Sequence, residues 1–262
     1  MFEATLSKVS TLKKIVDAIK DLVKEANLEL TLQGLSIQAM DGSHVALVSL
    51  VLKKEGFVEF TNHRNMTLGI NLKNLDTILK CAGKDDEVQL KAQDKADNLE
   101  IIFRNETAGQ ESSFNMKLLD LDLETLGIPD QEYDAVIRLS STEFQRVCRD
   151  IGQLGDTITI STEDESVSFS AAGDIGSGKL TIHANSLAEK EEDRVEIEKT
   201  HDVSLAFGVR YLRDFTKATS LSPRVALKLT NGSPLVVEYH FGALGKISFF
   251  VAPKIADEDE EM

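Results

Sequence analysis

The order of hydrophobic patterns in this chain is stated twice, and that constrains its fold more than any other feature. Most of the sequence alternates apolar and polar residues at period two. The clearest stretches are LELTLQGLSIQAM (28–40), VALVSLVL (45–52), EVQLKAQ (87–93), LEIIFR (99–104), TITISTEDESVSFSAAG (157–173), KLTIHA (179–184), RVALKLT (224–230), LVVEYHF (235–241) and KISFFVA (246–252). Short alternating runs joined by Gly, Asn and Asp read as half-buried strands, and many of them with few helices point to antiparallel sheets. Four segments read instead at period 3.6, at 11–24, 72–81, 142–153 and 209–218. The third opens on a candidate N-cap, Ser141 or Thr142. Leu12, Ile15 and Ile19 recur as Phe144, Val147 and Ile151, 132 residues on; Leu75, Ile78 and Lys80 recur as Leu212, Phe215 and Lys217, 137 residues on. The chain therefore reads as two copies of one α+β domain, each holding two helix-plus-strands units.

Each helical segment carries its charge on one side. Taking 100° per residue, Leu12, Ile15, Val16, Ile19, Leu22 and Val23 form an apolar stripe, with Lys13 and Lys20 opposite. Leu72, Leu75, Ile78 and Leu79 face away from Lys73 and Lys80; Leu212 and Phe215 face away from Arg210 and Lys217. Arg146 and Arg149 lie across from Phe144, Val147 and Ile151. Any single such face is ordinarily a solvated one. Recurrence in four helices, in a chain with 44 acids against 29 bases and a net charge of −15, points to one shared basic surface suited to phosphate contact without base reading.

Catalytic signals are missing. The five histidines are scattered, and no zinc-ligand spacing or nucleophile elbow occurs. GDIGSGKL (173–180) fits part of a phosphate-binding loop, but Leu180 stands where a hydroxyl must meet magnesium, and a strand follows instead of a helix. It reads as a turn between strands. Asp120, Asp122 and Glu124 could hold a metal, but their alternation and the lack of a second acidic motif favour a solvated segment; neither a metal nor a cofactor is expected. No apolar run approaches the roughly 20 residues of a membrane span, so no membrane association is expected. The opening MFEATLSKVSTLKK lacks the marks of a signal peptide. Cys81 and Cys148, both in helix-like segments, are expected as reduced, packed thiols.

Seven stretches carry a resemblance along nearly the whole chain: MFEA (1–4), MDGSHVALV (40–48), ILKCAG (78–83), MKLLDLDLETLGIPDQEY (116–133), VCRDI (147–151), RYLRDFTKAT (210–219) and PLVVEY with APKI (234–239, 252–255). The sequence resembles the proliferating cell nuclear antigen family of eukaryotic sliding DNA clamps. The resemblance implies a clamp fold of two similar domains with antiparallel sheets and helices on one face. It divides the chain into 1–117, an interdomain connector at 118–134, a second domain at 135–256 and an acidic tail at 257–262. It implies a non-enzymatic homotrimeric ring in the nucleus that encircles double-stranded DNA without regard to sequence and serves replication, repair and translesion synthesis. The alternative is a subunit of a related heterotrimeric checkpoint-type clamp.

The implied DNA-facing residues are Lys13, Lys14, Lys20, Lys80, Arg146, Arg149, Arg210 and Lys217. Thr77 and Gln153 stand where relatives often carry Lys and His, and Lys73 offsets the first. The implied partner groove takes a glutamine-aliphatic-aromatic-aromatic motif on Met40, His44, Val45, Leu47, Leu126, Gly127, Ile128, Pro129, Tyr133, Pro234, Phe250, Ala252 and Pro253. Leu126, Ile128 and Pro129 are apolar in a segment too polar for core, as a groove requires. For Leu118, Leu119 and Leu121, packing of the connector onto its own sheet is favoured. The implied partners are DNA polymerase delta, the clamp loader replication factor C, a flap endonuclease, DNA ligase and other carriers of the motif. Ring contacts are implied at GQESSFNMK (109–117) and IGSGKLTIH (175–183), with Phe114, Met116, Ser177, Lys179 and Leu180. The lysine that relatives modify after the TITIS strand is replaced by Asp164.

Overall fold

The structure is a computed structural model that describes residues 1–123, 126–128, 131–185 and 187–254. It divides into two units, residues 1–128 with 240–248, and residues 129–239 with 249–262.

The first half runs β1 (Phe2–Leu6), α1 (Val9–Ile19), β2 (Glu25–Thr31), β3 (Gly34–Met40), β4 (Ala46–Lys53), β5 (Glu59–Asn62), β6 (Met66–Asn71), α2 (Leu72–Leu79), β7 (Glu87–Ala92), β8 (Asn98–Asn105) and β9 (Gln110–Lys117). The second half repeats that order as β10 (Ala135–Ser140), α3 (Ser141–Ile151), β11 (Thr157–Glu163), β12 (Ser166–Gly173), β13 (Gly176–His183), β14 (Glu196–Lys199), β15 (Ser204–Gly208), α4 (Val209–Phe215), β16 (Arg224–Leu229), β17 (Leu235–Phe241) and β18 (Gly245–Val251). Pairing repeats too. The order β5-β1-β7-β8 is matched by β14-β10-β16-β17, and β4-β3-β2-β6 by β13-β12-β11-β15, all antiparallel. The alternation does what period two dictates: along β10, Ala135, Ile137 and Leu139 are buried while the residues between them are half-exposed. Strands β1, β5, β6, β9, β10, β14 and β15 are not among the stretches singled out by alternation. Two of them, β5 and β14, are four-residue sheet edges too short to show a period.

The helices bury their apolar stripes. Leu12, Ile15, Val16 and Ile19 of α1 and Leu72, Leu75 and Leu79 of α2 line the first core; Ile78 is only half-buried. Phe144, Val147 and Ile151 of α3 and Leu212 and Phe215 of α4 enter the second. There the rings interlock, with Phe215 stacked on Phe249 at 4.8 Å and Phe144 tilted against Phe169 at 6.3 Å.

The helix bounds correct the sequence reading. The first helix spans 9–19 instead of 11–24, with Leu22 and Val23 buried in the turns beyond it. The fourth ends at Phe215 and continues as a 3₁₀ segment, Thr216–Leu221. Ser141 and Thr142 are not the N-cap; both lie inside α3. The reason is tertiary. The first N–H of α3, from Ser141, donates to the Pro223 carbonyl at 2.9 Å, and that of α1, from Val9, to the Asp86 carbonyl at 2.7 Å. The first N–H of α2, from Leu72, donates to the Lys24 carbonyl at 2.9 Å, and that of α4, from Val209, to the Asp156 carbonyl at 3.0 Å. All four helices begin on a carbonyl from a distant loop, which satisfies an N–H that a local side chain would otherwise have to take. Only α2 adds a side-chain cap, Asn71 accepting from the Asn74 N–H at 3.0 Å.

Gly173–Leu180 is the β12–β13 hairpin, turning at Asp174 and Ile175, as the strand after it requires. Cys148 is fully buried, but Cys81 lies beyond the end of α2 and is exposed, which corrects the expectation of two packed thiols.

Candidate nucleic-acid interface

In the first unit, α1 and α2 pack side by side, with their apolar stripes on the sheets and their charged sides outward. Asp76 lies between the two helices' cations. One carboxylate oxygen meets Lys20 Nζ at 3.1 Å and the other meets Lys80 Nζ at 2.7 Å. Lys20 also bonds Asp17 on its own helix. Asp17 raises the Lys20 ammonium above its ordinary value, against a smaller opposing push from burial. Burial works to raise the Asp76 carboxyl, but the bonds from Lys80 and Lys20 outweigh it and hold the group below the usual carboxylate range. Lys13 Nζ donates to the Ala82 carbonyl at 2.8 Å. Among the described residues Lys14 and Lys73 have no carboxylate partner. Thr77 is exposed and donates its hydroxyl to the Lys73 carbonyl at 2.9 Å.

The second unit pairs its cations with acids nearby in sequence. Arg146 meets Glu143 at 2.5 Å and Asp150 at 3.6 Å, and Arg149 meets Asp150 at 2.8 Å. The bond from Arg149 holds the Asp150 carboxyl low, and Glu143 holds the Arg146 guanidinium high. Lys217 meets Asp214 at 2.6 Å. Arg210 is exposed and lies 5.8 Å from the centre of the Tyr211 ring. Arg213 joins the helices, donating to the carbonyl of Gly152 at 3.0 Å. Gln153 is exposed. Sequence reasoning found the cations and missed the acids paired with them; the signal was their spacing of three or four residues from a cation on the same helix.

The first stretch of the connector lies on its own unit. Leu118 N–H donates to the Asp97 carbonyl at 2.9 Å, and Leu119 N–H to the Gly69 carbonyl at 2.8 Å. Gly69 is required there, since a Cβ would stand 2.2 Å from the Leu119 oxygen. Asn27 reaches the Leu121 carbonyl at 3.4 Å. Gln38 takes Leu126 at both ends, donating to its carbonyl at 2.8 Å and accepting from its N–H at 2.5 Å. Leu118 and Leu121 are half-buried, whereas Leu119 is tied down by its backbone with its side chain 36% exposed, close to Leu126 and Ile128 at 42% and 40%, which corrects the packing expected of it. The 41–46 loop is organised by Asp41, whose buried carboxylate accepts from the N–H groups of Ser43, Val45 and Ala46 at 3.0, 2.8 and 2.8 Å. His44 and Val45 are exposed at its tip, Met40 is half-buried and Leu47 is buried.

In the second unit, Pro234 and Ala252 are exposed, and Tyr133, Phe250 and Pro253 are half-buried. Lys228 Nζ lies 5.6 Å from the centre of the Tyr133 ring. Pro129 and Glu124 lie outside the described residues, as does the 257–262 tail. Asp120 and Asp122 are exposed, and no group of three metal-ligating side chains occurs among the described residues.

Among the described residues, strands β9 and β13 each pair on one side only, with β8 and β12. Phe114 on β9 is half-buried against Phe103, centroids 5.6 Å apart, and Met116 is turned into its own core. Ser177 and Lys179 on β13 are exposed, and Leu180 is half-buried.

Two family models match the chain. That of the proliferating cell nuclear antigen N-terminal domain covers residues 1–125, and that of the C-terminal domain covers residues 127–254.

Proposed function

The chain belongs to the proliferating cell nuclear antigen family of sliding DNA clamps, and from that premise we propose that it closes into a homotrimeric ring around duplex DNA in the nucleus. Members of the family are non-enzymatic and act in DNA replication and repair. The observation that supports this reading is the duplicated helix pair: in each unit the apolar stripes are buried and cations occupy the exposed sides. On this reading Lys13, Lys14, Lys20, Lys73, Lys80, Arg146, Arg149, Arg210 and Lys217 face the phosphates. The ring closes by pairing β9 of one copy with β13 of the next, a heterologous contact. The connector, the 41–46 loop and the 250–253 segment frame a groove for glutamine-aliphatic-aromatic-aromatic motifs. DNA polymerase delta, replication factor C, a flap endonuclease and DNA ligase dock there, and the tethered enzyme gains effective concentration on DNA.

A trimer carries three times −15, or −45, so the ring is held by topology more than by charge. Each phosphate neutralised contributes about 0.9 to the salt slope. Binding to short linear duplex is therefore feeble and vanishes as salt rises, whereas a ring loaded on nicked circular DNA survives the same salt. Retention on circular against linearised DNA checks this; equal loss from both rules encirclement out. The self-trimer separates this reading from a heterotrimeric clamp subunit, which sediments alone as a smaller species.

A further inference from the structure

The exposed faces of the helices carry acids as regularly as they carry bases. Asp17 pairs with Lys20, Asp76 with Lys80, Glu143 with Arg146, and Asp214 with Lys217, each acid three or four residues before its base. Two acids do more. Asp76 uses its two oxygens on two lysines from two helices. Asp150 engages two arginines. One acid engaging two cations thus occurs in both units, across two helices at Asp76 and within α3 at Asp150. A chain selected only to attract phosphate gains nothing from carboxylates among its cations, since each repels the backbone it meets.

We propose that Asp76 and Asp150 are positioning residues that hold Lys20, Lys80, Arg146 and Arg149 in internal pairs, so that a phosphate gains one of these four cations only by displacing a carboxylate. The inference rests on the proposed DNA-facing role of these helices. Its consequence is exchange in place of addition. When Lys80 swings from Asp76 to a phosphate, one ion pair is lost, its lysine exposed and its carboxylate 13% exposed, and one is made at the surface. The freed carboxylate takes up a cation from solution while the DNA releases one, which flattens the salt dependence. Many near-equal exchanges give a ring a smooth path along the duplex, with no phosphate register strongly preferred.

The test measures binding of the full-length trimer to a short linear duplex across a salt series. Asp76→Asn with Asp150→Asn frees Lys20, Lys80, Arg146 and Arg149 from these two acids. Affinity at low salt is expected to rise about tenfold, because exposed pairs hold their partners only weakly, and the salt slope to steepen by about one to two. Asp76→Glu with Asp150→Glu is expected to restore wild-type affinity and slope, which a purely structural role for the carboxylates does not predict. Lys80→Glu with Arg149→Glu tests the underlying reading separately. If that variant binds as the wild type does, the helices do not face DNA. If it binds more weakly while the asparagine variant keeps the wild-type slope and affinity, the helices face DNA and the proposal is wrong. Asp150→Asn alone, at a more exposed site, provides the same comparison should the double variant unfold; an unchanged slope there overturns the proposal for Asp150.

Discussion

Individual side chains show how far environment outweighs residue type. The two thiols carry the same chemistry, yet Cys148 sits fully buried on the inner side of α3, where desolvation pushes its pKa far above the ordinary thiol range, while Cys81 is open to solvent. The thiolate is the nucleophile, so alkylation of the native protein is expected to mark Cys81 and leave Cys148 unmodified until denaturant is added. Peptide mass spectrometry after iodoacetamide checks this, and equal labelling of both cysteines contradicts the burial of Cys148. Asp164 is a second case. It turns the chain between β11 and β12 with φ 48°, a conformation that Asp tolerates better than most residues.

At the scale of elements, the helices were legible as stripes but not as boundaries. Leu12, Ile15 and Ile19 announce a helix because 3.6-residue periodicity is local. Where it starts depends on whether a carbonyl waits for the first N–H, and Asp86, Pro223, Lys24 and Asp156 supply those from far along the chain. The connector follows the same logic. Its sequence favours packing for Leu118, Leu119 and Leu121 and exposure for Leu126, but the contacts that hold it, Gly69 making room for the Leu119 carbonyl and Gln38 clasping Leu126, join residues far apart in the chain. Each clasp contributes about 1 kcal/mol, as a typical hydrogen bond does, so Gln38→Ala is expected to speed amide exchange at Leu126 about fivefold. Gly69→Ala is expected to do so at Leu119 by more, because its Cβ collides with the bonded backbone. Hydrogen exchange read by NMR checks both; unchanged rates mean that the connector is not held by these contacts. If the proposed groove is right, Ile128→Ala or Phe250→Ala weakens a motif peptide by about 1–3 kcal/mol in calorimetry, the loss of a buried anchor.

For the whole molecule, the duplication is the governing fact. Helices α1 and α3 are displaced by 132 residues at both ends, the offset carried by the apolar residues themselves. Among the described residues β9 and β13 end their sheets, as β5, β6, β14 and β15 do, and at eight residues each they leave the longest rows of backbone donors and acceptors open. Phe114→Ala with Ser177→Glu removes a ring from one edge and adds charge to the other, and is expected to give monomers in sedimentation; a persisting trimer places the ring contact elsewhere.

What the sequence determined alone is what repeats at short range. It includes the strands that alternate, the apolar sides of the helices, the cations on their outer sides and the doubled order of elements, because periods of two and 3.6 are written in neighbouring residues. What only the tertiary structure decided is what depends on residues distant in the chain. Lys20 shares Asp76 with Lys80 because α1 packs on α2. Leu119 reaches Gly69 because the connector folds back onto β6. Ser141 starts a helix because Pro223 turns its carbonyl toward it. Each joins groups that only a formed core brings within hydrogen-bonding distance.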